Sequence, residues 1–507
     1  MTAKEETDVD SRHYFILMGV IITGLIFVYS WGISGNDFWW HVKAGEWMVN
    51  NRDLPAIDVF SWYAKENSLI WSSHEWLSQV LFYVVHNLGG DIGIFLLSLA
   101  SAILMAVLIV RRNQQAIQKN IALATIYLVP MVILFRLMCY GRPQLISYFL
   151  IYATLHCLYS YQQDQSSRAV YCMPLIALLW GNFHAGSSTL SYILCFLFMF
   201  SGLFEFSIGK LHVKKYTRRK LLTYLAAGVL SIAALAINPY GLKMLIYPYA
   251  NMGDSFMQEM INEWSAPDAK KLSHLILFYW PLLIVGVSLI VTDKKIKAVD
   301  LLVFLFFAYM LFRSVRFGVV YYIASTFFAF DYFPEREAKP VGSRIDALIF
   351  KTVLLLLLVI NLFSSAKTFE TWRAGQLISV ILDKKFVELL KAEAPKRLFN
   401  DYNFGEALIY NGIQTFSDAR ADLFSAHNLR DTRSLSNLVQ YDESEMNKIF
   451  DPEQIISRYD FDAFLVGLNK SLAVYLRSRP QDYQILMQFD NAVYFKRLKC
   501  NASSGAK

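Results

Sequence analysis

The sequence contains about eleven apolar segments, each long enough to cross the ~30 Å hydrocarbon layer of a membrane. Charged residues make up 18% of the chain, against about 25% in soluble proteins. Inside a bilayer the backbone must satisfy its own hydrogen bonds, so these segments are predicted to be α-helices. The predicted spans are residues 14–33, 91–110, 121–140, 143–161, 171–188, 189–208, 221–238, 275–292, 298–314, 317–333 and 345–366.

Lysine and arginine residues cluster in alternate loops between these spans. By the positive-inside rule such loops face the cytoplasm, which places the N-terminus inside. An odd number of spans then places the C-terminal part outside. The basic residues of these loops are Arg111, Arg112, Arg168, Lys210, Lys214, Lys215, Arg218, Arg219, Lys220, Lys294, Lys295, Lys297, Arg336, Lys339 and Arg344.

Charge density divides the chain into two predicted domains. Residues 1–366 hold 52 charged residues (14%) and form a transmembrane domain with a long first outward loop at 34–90. Residues 367–507 hold 37 (26%), which is a soluble composition. Because their 19 basic and 18 acidic residues nearly balance, the net charge of +7 gives no reason to expect a nucleic-acid partner.

Periodicity predicts a small, mixed α/β fold for the C-terminal domain. Short runs rich in β-branched and aromatic residues predict strands, and amphipathic runs predict helices. The predicted strands are 397–400, 415–417, 461–466, 483–489 and 492–497, and the predicted helices are 384–394 and 471–479.

An acidic residue, Asp37, follows the first span in the run Asn36-Asp37-Phe38-Trp39-Trp40-His41. An acid at the outer membrane surface beside aromatic rings suits a general base. The alternative is that Asp37 caps a helix beginning at Phe38. The tryptophan pair fits an interfacial aromatic belt better than a binding platform.

Other ionisable residues of the first outward loop are Asp58, His74 and Glu75. With Asp37 and His41 they could line one pocket or, as His41, Asp58, His74 and Glu75, hold a divalent metal ion. Their spacing matches no metal motif. His74-Glu75 equally suits the start of an amphipathic helix that Gly89-Gly90 closes.

Four arginines at the outward ends of spans depart from the positive-inside pattern. An arginine near hydrocarbon is costly unless it is paired or solvated. Guanidinium groups match phosphate oxygens, so one interpretation is a site for a lipid phosphate at the outer leaflet. The other is snorkelling toward water or pairing with Glu263. These residues are Arg136, Arg142, Arg313 and Arg316.

Three further polar groups are candidates for substrate contacts. Asn182 and His184, in the run from Trp180 to Gly186, suit either hydrogen bonding to a substrate or a helix break with a satisfied histidine. Glu263-Trp264 pairs an acid with an aromatic ring, as carbohydrate sites do. In the C-terminal domain Asp418, Arg420 and Asp422 predict a structural ion network or a substrate-facing edge.

Taken together, the spans, the acid after the first span and the outer α/β domain resemble the GT-C glycosyltransferases, polytopic enzymes that use polyprenyl-phosphate sugars. The chain also resembles uncharacterised bacterial membrane proteins. They share the elements DxWWH, HEWL, RPQ, WxNxH, NPYG, EW and NDYxFG, which stand here at 37–41, 74–77, 142–144, 180–184, 238–241, 263–264 and 400–405.

The resemblance implies sugar transfer from a polyprenyl phosphate to a cell-envelope glycan, lipid or protein outside a bacterial plasma membrane. Asp37 is the first candidate base for an inverting attack and Asp58 the second, since better-known enzymes often carry Asp-Glu where this chain has Asp37-Phe38. A divalent metal ion is an optional cofactor. The alternatives are a glycan polymerase or ligase that uses diphosphate donors, and a non-enzymatic transporter of lipid-linked glycans.

Overall fold

The computed structural model describes residues 3–30, 37–138, 140–250, 262–334, 348, 352, 382–420, 422–424, 426–441, 450–489 and 491–498. The chain forms two compact units. The helical unit comprises Met1–Ile33, His74–Ser78 and Val85–Leu377, and the α/β unit comprises Ser34–Ser73, Gln79–Val84 and Ile378–Lys507. The predicted domain boundary at residues 366 and 367 lies outside the described residues, as does the predicted span 345–366 apart from residues 348 and 352.

Apolar helices build the helical unit. Among the described residues, three helical segments are long and apolar enough to cross a membrane, namely Trp76–Arg112, Ile121–Met138 and Leu272–Val291. The count of eleven spans stays a prediction. The other helices of this unit are Ala3–Ser30, Gln114–Lys119, Gln144–Gln163, Ala169–Cys172, Met173–Phe183, Ala185–Ser188, Leu190–Phe200, Arg218–Leu235, Lys243–Ala250, Asn262–Trp264, Ala298–Arg313, Val315–Phe317, Gly318–Ser325 and Ala329–Tyr332.

The Trp76–Arg112 helix is interrupted at Gly90, whose φ of 57° and ψ of −150° are not helical. A positive φ costs glycine little because it has no Cβ atom. The predicted break at Gly89-Gly90 is therefore confirmed, and the span predicted to begin at residue 91 stays a prediction.

One predicted span, 189–208, is too long. The helix ends at Phe200, and Phe206–Ile208 forms a strand that pairs antiparallel with Leu211–Val213. Gly209, at a φ of 55°, supplies the tight turn between the two strands. Leu211–Val213 also pairs in parallel with Ile296–Lys297.

The predicted span 317–333 is interrupted as well, because its longest helix ends at Ser325. The Ser325 hydroxyl donates to the Tyr321 carbonyl at 2.8 Å, and the Thr326 hydroxyl donates to the Ile323 carbonyl at 2.7 Å. Such side-chain bonds compete with the backbone ladder at the end of a helix.

A four-stranded sheet forms the centre of the α/β unit. In spatial order its strands are Leu398–Asn400, Ala463–Gly467, Ala492–Arg497 and Tyr483–Phe489. The first pair is parallel and the other two are antiparallel. The helices of this unit are Phe38–Asn51, Trp62–Glu66, Lys384–Glu393, Tyr402–Phe404, Gly405–Tyr410, Ala426–Asn437, Pro452–Tyr459 and Ser471–Arg477.

Four of the five predicted strands and both predicted helices of the C-terminal part are confirmed. The exception is 415–417, where Thr415 makes a single parallel bridge with Ser61. Ser61 lies in the segment Ser34–Ser73, which belongs to the same unit. Trp62 of that segment stacks on Phe416 with ring centroids 5.5 Å apart, and its indole nitrogen donates to the Leu398 carbonyl at 3.0 Å.

The tryptophan pair at 39 and 40 lies in the interior of the α/β unit, which corrects its assignment to an interfacial belt. Both side chains are buried. The Trp39 ring lies 4.5 Å from that of Tyr410, and the Trp40 ring lies 6.2 Å from that of Trp71. Burial of such large rings against one another contributes strongly to the stability of this unit.

Candidate functional site

Asp37 lies at the start of the Phe38–Asn51 helix in the α/β unit and is half-buried. Its side chain makes no capping hydrogen bond to the helix, although its carbonyl accepts from the His41 amide at 3.3 Å. Helix capping therefore does not account for the acid at this position. His41, a predicted substrate contact, is buried, with its ring 3.7 Å from that of Trp40.

A second acid, Glu406, lies within electrostatic reach of Asp37 in the same unit. Glu406 is fully buried, its Oε1 accepts from the Ala419 amide at 3.0 Å, and its Oε2 has no hydrogen-bond partner among the described residues. Burial, followed by the negative charges of Asp37 and Asp418, raises the pKa of Glu406 to about 8. At neutral pH Glu406 is therefore mostly protonated. Sequence reasoning missed this residue because nothing local marks it.

The stability of the wild-type protein should fall as the pH rises from about 4.5 to about 8. In the unfolded chain the Glu406 carboxyl ionises near 4.5, whereas in the folded state it keeps its proton up to about 8. The folded state thus binds more protons across this window, so raising the pH favours unfolding by a few kcal/mol in total. Chemical unfolding of wild type and Glu406→Gln at pH 5 and pH 8.5 measures the effect. Equal pH dependence in the two proteins would contradict it.

Asp58, the second candidate base, is buried in an ion pair with Arg420. The Arg420 Nη2 atom lies 3.3 Å from one Asp58 oxygen, and Nη1 contacts the other. On its other side Arg420 donates from Nε and Nη2 to the two oxygens of Asp418, both at 2.8 Å. Burial acts to lower the pKa of Arg420, but the two carboxylates outweigh it and raise that pKa. The predicted Asp–Arg–Asp network thus contains Asp58, while Asp422 is exposed.

The Asn-Asp-Tyr-Asn-Phe-Gly element at 400–405 shapes the backbone beside this triad. The Asn400 amide donates to the Ser417 carbonyl at 2.8 Å and accepts from the Phe416 amide at 2.8 Å. Asp401 accepts from the Gly467 amide at 2.6 Å. These contacts explain the element as a structural one.

Gly405→Ala should destabilise the α/β unit by about 1–3 kcal/mol through overpacking. A Cβ atom on Gly405 would lie 2.5 Å from the Asp418 Cβ and 2.8 Å from the Ser417 carbonyl oxygen. The control is Gly89→Ala, because a Cβ there would meet nothing within 4 Å. Thermal melts of both variants test the difference, and equal melting temperatures would show that the contact relaxes freely.

In the helical unit, His74 and Glu75 meet His184. The Nε2 atoms of His74 and His184 lie 3.1 Å and 3.5 Å from Glu75 Oε1. One potential ligand atom from each residue lies within 4.8 Å of the others. Of the four metal ligands proposed from the sequence, His74 and Glu75 are thus joined by His184, whereas Asp58 is paired with Arg420.

His184 ends the Met173–Phe183 helix with a φ of −160°, so the predicted helix break is confirmed. Asn182 fixes the same corner. Its amide nitrogen donates to the Leu178 and Ile237 carbonyls at 2.8 and 2.9 Å, and its oxygen accepts from the Trp76 indole at 3.1 Å.

Two of the four arginines singled out in the sequence, Arg142 and Arg316, act on Glu263. Arg142 Nη1 lies 2.8 and 2.7 Å from the two Glu263 carboxylate oxygens, so Arg142 forms the ion pair with Glu263 that one of the two interpretations predicted. Burial acts to raise the pKa of Glu263, but Arg142 and then Arg316 outweigh it and lower that pKa. The Ser314 hydroxyl donates to the Glu263 carbonyl at 2.7 Å and so ties this acid to the Arg316 segment.

The remaining predicted contacts are less closely bound. Arg313 is exposed in the last turn of the Ala298–Arg313 helix, and Arg136 and Trp264 are half-buried. A separate cavity of about 410 Å³ in this unit is lined by Arg111, Arg112, Lys119 and Lys294 among others, and by none of the predicted site residues.

Solved structures of similar fold include the oligosaccharyltransferase of Archaeoglobus fulgidus. Its apo crystal structure matches with a TM-score of 0.52 and 11% sequence identity over 90% of this chain and 69% of that chain. This chain shares the fold of that structure. The structure of AglB from the same organism, in complex with an inhibitory peptide and a dolichol-phosphate, matches with a TM-score of 0.51 and 9% identity over 89% and 69%.

No family model matches the sequence, and no curated protein matches it. The structural comparison confirms the predicted helical architecture with a small sheet region, and three helical segments among the described residues are long and apolar enough to cross a membrane. The number of spans and the side of the membrane on which the C-terminal residues lie stay predictions.

Proposed function

We propose that this chain transfers a sugar from a polyprenyl-phosphate donor to an acceptor outside the bacterial plasma membrane. The observation that carries the proposal is the oligosaccharyltransferase fold across 90% of the chain. One solved structure of this fold contains an inhibitory peptide and a dolichol-phosphate, and dolichol-phosphate is a lipid phosphate. The acceptor here is a glycan, a lipid or a protein of the cell envelope.

Asp37 is the proposed general base. It stands immediately before the helix that follows the first apolar helix, and its carboxylate does not cap that helix. In the proposed step Asp37 takes the proton of the acceptor nucleophile, which attacks the anomeric carbon. The bond from that carbon to the phosphate oxygen breaks, and the configuration inverts. Placement of such a base contributes about 10²–10⁴-fold to a rate.

The proposed ligands of the donor phosphate are arginines of the helical unit. The leaving group is already a phosphate, so cations stabilise its developing charge and no protonating acid is needed. Glu263 balances one positive charge in the cluster of Arg142 and Arg316, which leaves a net positive charge there. Arg313, exposed at the end of the Ala298–Arg313 helix, adds another positive charge to the proposed set.

A panel of radiolabelled donors tests the proposal. The detergent-purified chain is incubated with polyprenyl-monophosphate sugars and, separately, with diphosphate-linked glycans, and loss of label from the lipid is followed. Consumption of a monophosphate donor is expected. Consumption of diphosphate donors alone would replace the proposal with a polymerase or ligase. Consumption of neither, together with movement of intact lipid-linked glycan across proteoliposomes, would replace it with transport.

A further inference from the structure

We propose that His74, Glu75 and His184 bind a divalent transition-metal ion of the zinc class. Glu75 and His184 are buried, and His74 is half-buried. Metal binding at this cluster does not depend on whether the chain transfers a sugar.

The spacing of the ligand atoms suits a tetrahedral ion. Donors about 2.0–2.1 Å from a tetrahedral zinc ion lie about 3.3 Å from each other. The two histidine Nε2 atoms lie 3.1 and 3.5 Å from Glu75 Oε1. All three ligand atoms lie within 4.8 Å of one another, so a small inward movement of the histidine rings would complete the site.

A shell of hydrogen bonds orients His184 toward the cluster. Its Nδ1 atom lies 2.7 Å from the Ser147 hydroxyl and 2.9 Å from the Ser187 hydroxyl. The Trp180 indole donates to both hydroxyls, at 2.9 and 3.1 Å. With its proton on Nδ1, His184 presents a lone pair on Nε2, and partners of this kind are typical of metal-binding histidines.

The backbone and a tyrosine hold the other histidine in place. The His74 carbonyl accepts from the Ala185 amide at 3.1 Å, and the His74 ring stacks on that of Tyr247 with centroids 4.3 Å apart. Gly186 keeps the approach open, because a Cβ there would lie 3.4 Å from His184 Nε2 and 3.9 Å from His74 Cδ2.

The ligand set indicates which ions fit. Two imidazoles and a carboxylate suit zinc, whereas magnesium and calcium prefer oxygen ligands alone. Three protein ligands leave a fourth position for water or an anionic oxygen. By contrast, the His86–Asp91 pair, with 3.3 Å between its nitrogen and oxygen, has no third ligand of this kind among the described residues.

The test measures metal binding by the full chain in detergent after chelator treatment. Wild type should bind about one equivalent of Zn²⁺, and Co²⁺ should give visible absorption bands of a four-coordinate site. His74→Gln and His184→Gln should lose both signals, whereas the matched control His86→Gln should keep them. Ser147→Ala, which removes an orienting partner, should weaken binding about 10–100-fold.

Melting temperatures are recorded without metal, so that a loss of binding is not mistaken for unfolding. If His184→Gln does not fold, the metal binding of His74→Gln decides the question, because His74 is only half-buried. Wild type that binds no Zn²⁺, binds Mg²⁺ more tightly, or binds Zn²⁺ equally well after either histidine is replaced would overturn the proposal.

Discussion

Asp37→Asn should lower the rate of sugar transfer by about 10²–10⁴-fold while the chain stays folded at the temperature of the assay. Asparagine has nearly the same shape as aspartate but cannot accept the acceptor's proton. Because the Asp37 carboxylate makes no capping bond to the Phe38–Asn51 helix, its replacement removes no cap. Initial rates with a saturating polyprenyl-phosphate sugar, measured beside thermal melts, give both quantities.

The matched control for this variant is Asp53→Asn. Asp53 is an exposed acid of the same loop whose carboxylate accepts from the Leu54 amide at 2.8 Å. It should transfer sugar at the wild-type rate. Full activity in Asp37→Asn would remove Asp37 from the mechanism. A second readout is independent of turnover, since losing the charge of Asp37 should lower the pKa of Glu406 and shift the pH dependence of stability.

Arg420→Met should destabilise the α/β unit by about 3–5 kcal/mol, the largest effect on stability that we expect. Arg420 is completely buried between Asp58 and Asp418. Removing it leaves two buried carboxylates without their cation, and water does not reach them to solvate their charges. Chemical unfolding monitored by tryptophan fluorescence measures the change, because the centroid of the Trp71 ring lies 4.9 Å from the guanidinium carbon of Arg420.

Arg397→Met is the control for this substitution in the same unit. Arg397 pairs with Glu66 at 3.2 Å, but the two side chains are 37% and 50% exposed. Such a surface pair contributes about 0–1 kcal/mol. Similar losses in the free energy of unfolding of Arg420→Met and Arg397→Met would show that the buried Asp58–Arg420–Asp418 triad stabilises the unit no more than a surface ion pair does.

The same triad separates the two candidate bases. Asp58→Asn should lose transfer together with stability, because Asp58 supports Arg420 and accepts from the Ser61 amide at 2.7 Å. Asp37→Asn should lose transfer but stay folded at the temperature of the assay. A stable Asp58→Asn protein without activity would reverse this assignment.

Local patterns in the sequence were sufficient to predict features that depend on neighbouring residues. The break at Gly90 follows from two adjacent glycines, and the strands at 463–467 and 492–497 follow from runs of apolar residues. A helix beginning at Phe38 was expected whether Asp37 served as its cap or as a base. The membrane fold followed from the length of the apolar segments.

Contacts between distant parts of the chain could not be predicted. Asp58 and Arg420 are 362 positions apart, so sequence left Asp58 as a free loop acid and Arg420 in a local network. Similarly, nothing local joins His184 to the pair His74-Glu75. The predicted span 189–208 was too long because apolar length and hydropathy do not show that the helix ends at Phe200 and a strand follows.

The most direct test of the account is one transfer assay with the purified wild-type chain. Individual radiolabelled polyprenyl-phosphate sugars are mixed with cell-envelope acceptors, and the product is analysed for label and for the configuration at its anomeric carbon. The account predicts that label moves from one such donor to an acceptor with inverted configuration. Retained configuration, or no transfer from any monophosphate donor, would contradict it.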